Sequence, residues 1–257
     1  MNRRHLLRRA SGMAIGIIGL AAVLAVSPAR AADVPVAVAS NFTEPAKEIA
    51  IAFQTKTHVH VALGLGSSGR LFDQIAQGGP YEVFLSADAD RPARAEKEGL
   101  AVPGTRFTYA VGKLVLYSKT PGLVDGQGAV LKSGTFRKLA ISDPAQTAYG
   151  TAAVKVMTGL GVYDALKPKI VHAPTLTETY NLVHSGAADL GFVALSQVIH
   201  QTGGSRWLVP DAHHAPLTQQ AVLLKTGRDD PAAKAFMTFL KSPEALKIIK
   251  RYGYEVP

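Results

Sequence analysis

The stretch Gly64-Leu65-Gly66-Ser67-Ser68-Gly69-Arg70-Leu71 decides how this 257-residue chain is read. An apolar, β-branched run over residues 59–65 enters it as a strand. A helical pattern over 69–77 leaves it, with Leu71 and Ile75 four apart on one face and Gly78 as the stop. A strand that passes through small residues straight into a helix turns backbone N–H groups outward at a positive helix end, which suits an anion. Ser67 and Ser68 add hydroxyl donors.

Working outward, the same design recurs three times. A strand over 34–39 is followed by Ser40-Asn41, with a helix over 43–57 whose first turn holds Pro45. A strand over 139–142 runs through Asp143-Pro144-Ala145-Gln146-Thr147 into a helix over 149–158. A short strand over 170–172 leads to a helix over 177–185, with Thr175 and Glu178 at capping-box spacing. Further strands are expected over 81–86, 109–118, 190–195 and 221–225, and a helix over 89–98. Two closing helices start after Asp230-Pro231 and at Ser242-Pro243-Glu244. This alternation predicts an α/β fold of mixed sheets covered by helices. About 225 residues after residue 31 are better placed in two lobes than in one sheet. Four positive helix ends meeting at one cleft would hold an anion with neutral donors, without lysine or arginine.

Composition narrows the field. Hydrophobic residues make up 47% and charged residues 18%, a globular balance. The chain has no cysteine, which excludes disulfides, thiolate metal sites and cysteine nucleophiles. Residues 1–31 read as a signal peptide: Arg3, Arg4, Arg8 and Arg9 precede an apolar stretch over 13–26, and Ala29-Arg30-Ala31 gives the small-x-small cleavage pattern. The run Asn2-Arg3-Arg4-His5-Leu6-Leu7-Arg8 fits a twin-arginine signal as well as an ordinary basic n-region, so both routes stay open. The segment carries five arginines and no acid, so the remainder holds +4 against +9 for the whole chain. No long basic run marks a nucleic-acid binder, and no second stretch is apolar enough for a membrane span.

Rival readings are weaker. Gly64 to Gly69 also spells G-x-G-x-x-G, with Asp88 downstream, but exported proteins seldom use nicotinamide cofactors. His58 and His60 would share one face of a strand as a metal pair, without an evident third ligand. Ser67 lacks the G-x-S-x-G elbow, and no Walker motif is present. Asp88 and Asp90 have turn and cap explanations, and Arg70 points to solvent from a helix start. No two tyrosines are adjacent, against a ferric site built from paired tyrosines. No enzyme is expected. Two alternatives are kept: a protein for sulfate or phosphate, and an exported α/β enzyme with a nucleotide or phosphorylated ligand at residues 64–69.

In order along the chain, Val38-Ala39-Ser40-Asn41-Phe42, Gly66-Ser67-Ser68-Gly69, Ser86-Ala87-Asp88, Ser142-Asp143-Pro144, Leu190-Gly191-Phe192-Val193-Ala194 and Lys250-Arg251-Tyr252-Gly253 resemble the periplasmic molybdate-binding proteins of ABC transporters. The resemblance runs from Val34 to the end. It implies a type II periplasmic binding protein: two α/β lobes, a mixed sheet in each, two crossing strands as hinge, and the ligand between them. The first lobe would take residues 32–108 and 217–257, the second 109–216. The resemblance further implies that molybdate or tungstate is held by Ser40, the Asn41 amide, Ser68 with its own amide, and the Tyr149 and Leu176 amides, as ligands of an oxyanion and not of a bare cation. No cofactor is implied. The partners would be the oxyanion and a membrane permease, the state a monomer, the location the periplasm. Some members contact the oxyanion with a tyrosine hydroxyl from the Leu-Gly-Phe-Val strand; Ala194 stands there. Tyr149 matches a branch with tyrosine at the third junction, which leaves open whether its hydroxyl or only its amide meets the ligand.

Overall fold

Val34–Ala39 (β1) is the strand on which the first half of the molecule is built. In the computed structural model, which describes residues 33–257, β1 lies between Val61–Gly66 (β2) and Val83–Ser86 (β3) and is parallel to both. Parallel neighbours need crossover helices, which bury a strand on both faces. That is why β1 reads as an unbroken apolar run. The crossovers are Thr43–Thr57 (α1) and Ser68–Ala76 (α2). Leu217–Leu223 (β10) runs antiparallel to β3 and to Phe107–Gly112 (β4), completing the order β2-β1-β3-β10-β4. Asp90–Lys97 (α3), Pro231–Phe239 (α9) and Pro243–Arg251 (α10) cover this sheet. Phe53 of α1 meets Phe236 of α9 edge-on, with ring centroids 5.3 Å apart. The predicted caps form: Asp230 accepts from the Ala232 N–H and Ser242 from the Ala245 N–H.

The second sheet repeats the plan. Leu139–Ser142 (β6) lies between Ile170–Ala173 (β7) and Leu190–Ala194 (β8), parallel to both. Leu114–Ser118 (β5) runs antiparallel to β8 and to Ser205–Leu208 (β9), giving β7-β6-β8-β5-β9. Val130–Ser133 (α4), Ala148–Gly159 (α5), Tyr163–Leu166 (α6), Leu176–His184 (α7) and Leu195–Val198 (α8) complete this half. Its core packs Leu116, Ile141, Met157, Phe192 and Trp207.

Residues 109–118, expected as one strand, are parts of two. β4 ends at Gly112 in the first sheet, and β5 starts at Leu114 in the second. The chain changes sheet at Lys113, in the middle of what reads as one strand, so the sequence-based boundary at residue 109 falls within β4. It returns between Leu208 and Leu217. β10 starts earlier than the expected 221 because Thr218-Gln219-Gln220 disguised its first half. The histidine pair is also corrected. His58 is the left-handed cap of α1 (φ 61°), with its N–H on the Gln54 carbonyl. Neither His58 nor His60 lies on a strand, since β2 starts at Val61, and His60 Nδ1 sits 3.1 Å from Asp33 Oδ1.

The export signal over residues 1–31, with its cleavage site, lies outside the described residues. Among the described residues no helix is long and apolar enough to cross a membrane.

Candidate functional site

Ser40 follows the carboxyl end of β1 and Ser68 that of β2; Tyr149 follows β6 and Leu176 follows β7. In sheets of this topology, ligands bind beyond the carboxyl ends of the strands, where neighbouring crossovers diverge. The two sheets turn these ends toward each other. The Leu176 N–H donates to Ser40 Oγ at 3.1 Å, and the Gly69 N–H to the Gln146 carbonyl at 3.0 Å. Ser196 Oγ, at the start of α8, donates to the Asn41 carbonyl at 2.9 Å. All five residues carried over for the oxyanion lie at this junction, with exposures between 1% and 6%. The crevice opens on either side of them. One cavity of about 270 Å³ is lined by Ser40, Asn41, Thr177 and Ser196, and one of about 550 Å³ by Asp88, Ala148 and Thr218. The larger carries few helix-start donors, so size does not mark the site; chemistry does.

The backbone fixes the direction of several donors. The Ser40 carbonyl accepts from Thr43 Oγ1 at 2.8 Å and from Thr177 Oγ1 at 3.3 Å. In a trans peptide the Asn41 N–H then points the opposite way. Ser68 Oγ accepts from the Ala87 N–H at 2.9 Å, which leaves its own proton to donate. Ser40 Oγ is placed likewise by Leu176. Thr147 caps α5 through the Gly150 N–H at 3.0 Å and Thr175 caps α7 through the Glu178 N–H at 3.2 Å. These caps take the third amide of each helix. The Tyr149 N–H stays in the first turn, where the helix supplies no acceptor. Ser67 occupies the N-cap of α2 with extended backbone but makes no capping bond, and its Oγ is buried without a partner, as is Gln146 Oε1. A buried hydroxyl without a partner is uncommon and keeps its proton free to donate to an anion, whereas the Gln146 oxygen can only accept.

Arg91, at the rim, is held by Asp88 at 2.6 Å and donates to the Ala145 carbonyl. Behind the donors lies a neutral polar cluster that the sequence did not reveal. Asn41 Nδ2 donates to Gln219 Oε1 at 2.8 Å and to the Tyr254 hydroxyl at 3.0 Å. Tyr254 donates to the Asn41 carbonyl at 2.8 Å, and the Tyr109 hydroxyl sits 2.9 Å from Gln219 Oε1. The Tyr149 hydroxyl accepts from Gln219 Nε2 at 3.3 Å. Burial drives the Tyr109 and Tyr149 phenols well above their usual range, with neighbouring tyrosines adding to it, and pushes Tyr254 up to about 12. All three stay uncharged near neutral pH, so no phenolate opposes an anion.

Residues 34–255 match the model of the family described as bacterial extracellular solute-binding protein, and the chain belongs to that family. It is 54% identical to the molybdate-binding protein ModA of Rhodobacter capsulatus, over 93% of this chain and 95% of that protein. It is 48% identical to the molybdate-binding protein ModA of Azotobacter vinelandii, over 93% and 96%. The solved structure of the Azotobacter vinelandii periplasmic molybdate-binding protein superposes with a TM-score of 0.86 at 43% identity, covering 88% of this chain and all of that one.

Proposed function

We propose that this protein captures molybdate between its two sheets and delivers it to the membrane permease of an ABC importer. One observation carries this reading. Strand-to-helix junctions of the two sheets meet, the Leu176 N–H on Ser40 Oγ and the Gly69 N–H on the Gln146 carbonyl, with hydroxyls and first-turn amides buried beside them. The similarity to molybdate-binding proteins over nearly the whole chain supplies the identity of the anion. The protein is a carrier and not an enzyme.

The ligand set is Ser40 Oγ, the Asn41 amide, Ser68 Oγ and amide, and the Tyr149 and Leu176 amides. The Leu176 N–H, which donates to Ser40 Oγ, is shared with the oxyanion or passes to it, because a bond to an ionised acceptor is roughly twice as strong as a neutral one. Each bond to a charged acceptor contributes about 1.5–3 kcal/mol net. Five or so preorganised donors therefore suffice for about −8 kcal/mol, the micromolar level, after the costs of closure. Tungstate, of the same charge and shape, is bound as well. The two lobes, one built on each sheet, swing about the two crossings between the sheets. The carrier acts as a periplasmic monomer, exported by the segment over residues 1–31.

Isothermal titration of the chain from Ala32 onward with molybdate, tungstate, sulfate and phosphate tests this. Tight binding of the first two alone is expected. Sulfate binding without molybdate binding overturns the specificity, and no binding of any overturns the oxyanion reading. The orphaned Ser67 hydroxyl favours an anion in general and does not by itself exclude sulfate.

A further inference from the structure

Tyr149 spans the cleft at both of its ends. Its N–H belongs to the start of α5 in the second lobe, and its hydroxyl reaches into the first sheet to Gln219 on β10. The first sheet is shaped to receive it. β4 and β10 slip register between Gln219 and Gln220. Such a bulge re-aims side chains beside functional sites. Gln219 is fully buried while Gln220 reaches outward to Arg106 and Thr108. Opposite the start of β10, Gly112 pairs with Leu217 and has no side chain. A methyl group there would fall on the Tyr149 hydroxyl and lie 2.7 Å from Gln219 Nε2. Both crossings between the sheets begin or end at these residues, Gly112 before Lys113 and β10 after the return.

The Gln219 oxygen accepts from Asn41 Nδ2 and faces the Tyr109 hydroxyl, and its nitrogen faces Tyr149. One side chain thus touches Asn41 in one lobe and Tyr149 in the other, and both are assigned to the oxyanion by their backbone amides.

We propose that Gln219 is a positioning residue that couples closure to binding. When the Tyr149 amide engages the oxyanion, the Tyr149 hydroxyl seats on Gln219, and the same Gln219 holds Asn41 in place. The Tyr149 hydroxyl is therefore a closure contact, and only the amide faces the ligand. This inference rests on the oxyanion reading above.

The test compares wild type, Tyr149→Phe, Gln219→Met and the double variant by titration with molybdate and by thermal unfolding without ligand. Tyr149→Phe keeps the ring and the amide. It is expected to weaken molybdate binding about fivefold or more, the effect of one lost hydrogen bond, and to leave the ligand-free Tm within about 1 °C. The double variant is expected to bind no worse than Gln219→Met, because the two positions act through one contact. Unchanged affinity in Tyr149→Phe overturns the proposal, as does a fall in ligand-free Tm without a change in affinity, which marks a merely structural bond. If Gln219→Met does not fold, Tyr149→Phe alone decides. If wild type binds no oxyanion, the functional reading itself fails, and the two failures are thereby told apart.

Discussion

The Leu176 N–H donates to Ser40 Oγ across the cleft at 3.1 Å, joining two helix starts that lie 136 residues apart in the chain. This bond also orients the Ser40 proton. Ser40→Ala therefore removes a proposed ligand donor and a cross-cleft tie together. Titration with molybdate is expected to show a loss of about tenfold to a hundredfold, the cost of one charge-assisted bond. Ser68→Ala is expected to lose a similar factor, and the double variant close to the product of the two, since the residues have separate backbone partners. Retained affinity in the double variant would contradict the site.

Gly150 sits where the α5 start presses against the end of β6. A methyl group there would fall on the Ser142 carbonyl, a backbone atom that cannot rotate away. Gly150→Ala is expected to destabilise the fold by about 1–3 kcal/mol through overpacking, measured by urea unfolding. It is also expected to weaken molybdate binding, because displacing the first turn moves the Tyr149 amide.

Between about pH 6 and 9 the Kd for molybdate is expected to stay within about twofold. The phenols near the site hold their protons: burial keeps Tyr109 and Tyr149 well above their ordinary value and Tyr254 near 12. A bell-shaped profile in that window would reveal a titrating group that the site does not show.

Far from the site, Glu82 has its carboxyl pushed up to about 7, first by burial and then by the neighbouring Asp230 carboxylate. A carboxyl that is raised on folding binds more protons folded than unfolded between about 4.5 and 7. Its stabilising share is thus full below that window and lost as pH rises through it. Glu82→Gln is expected to raise stability by about 1 kcal/mol at pH 8, a figure discounted for solvent screening, and to have little effect at pH 4.5. Urea midpoints at the two pH values check the sign.

Most of the architecture was legible because parallel strands need apolar runs and helix starts need caps. β1, β6 and β8 announce themselves as buried on both faces, and Asp230, Ser242 and Thr175 mark their helices. What escaped depends on contacts distant in sequence. Little in Gly112-Lys113-Leu114 tells that the chain passes between two sheets, and nothing in Leu217-Thr218-Gln219-Gln220 tells that Gln219 is buried against Asn41, Tyr109 and Tyr149. The nearest available signal was two consecutive glutamines leading into an apolar strand. The Ser40 and Ser68 junctions were visible locally, but their meeting with residues 149 and 176 is a property of how the two sheets face.

The Ser40–Asn41 peptide, the α5 start and the α7 start have one more consequence. Most of the donors proposed for the anion are main-chain N–H groups, which only a substitution by proline deletes. Genetic drift among the contact side chains would leave the recognition surface largely intact, whereas changes at caps and glycines such as Thr147 and Gly150 would retune it from one layer away. Selection for tighter or looser carriers should leave its record at those supporting positions, where a search among the contacting residues alone would overlook it.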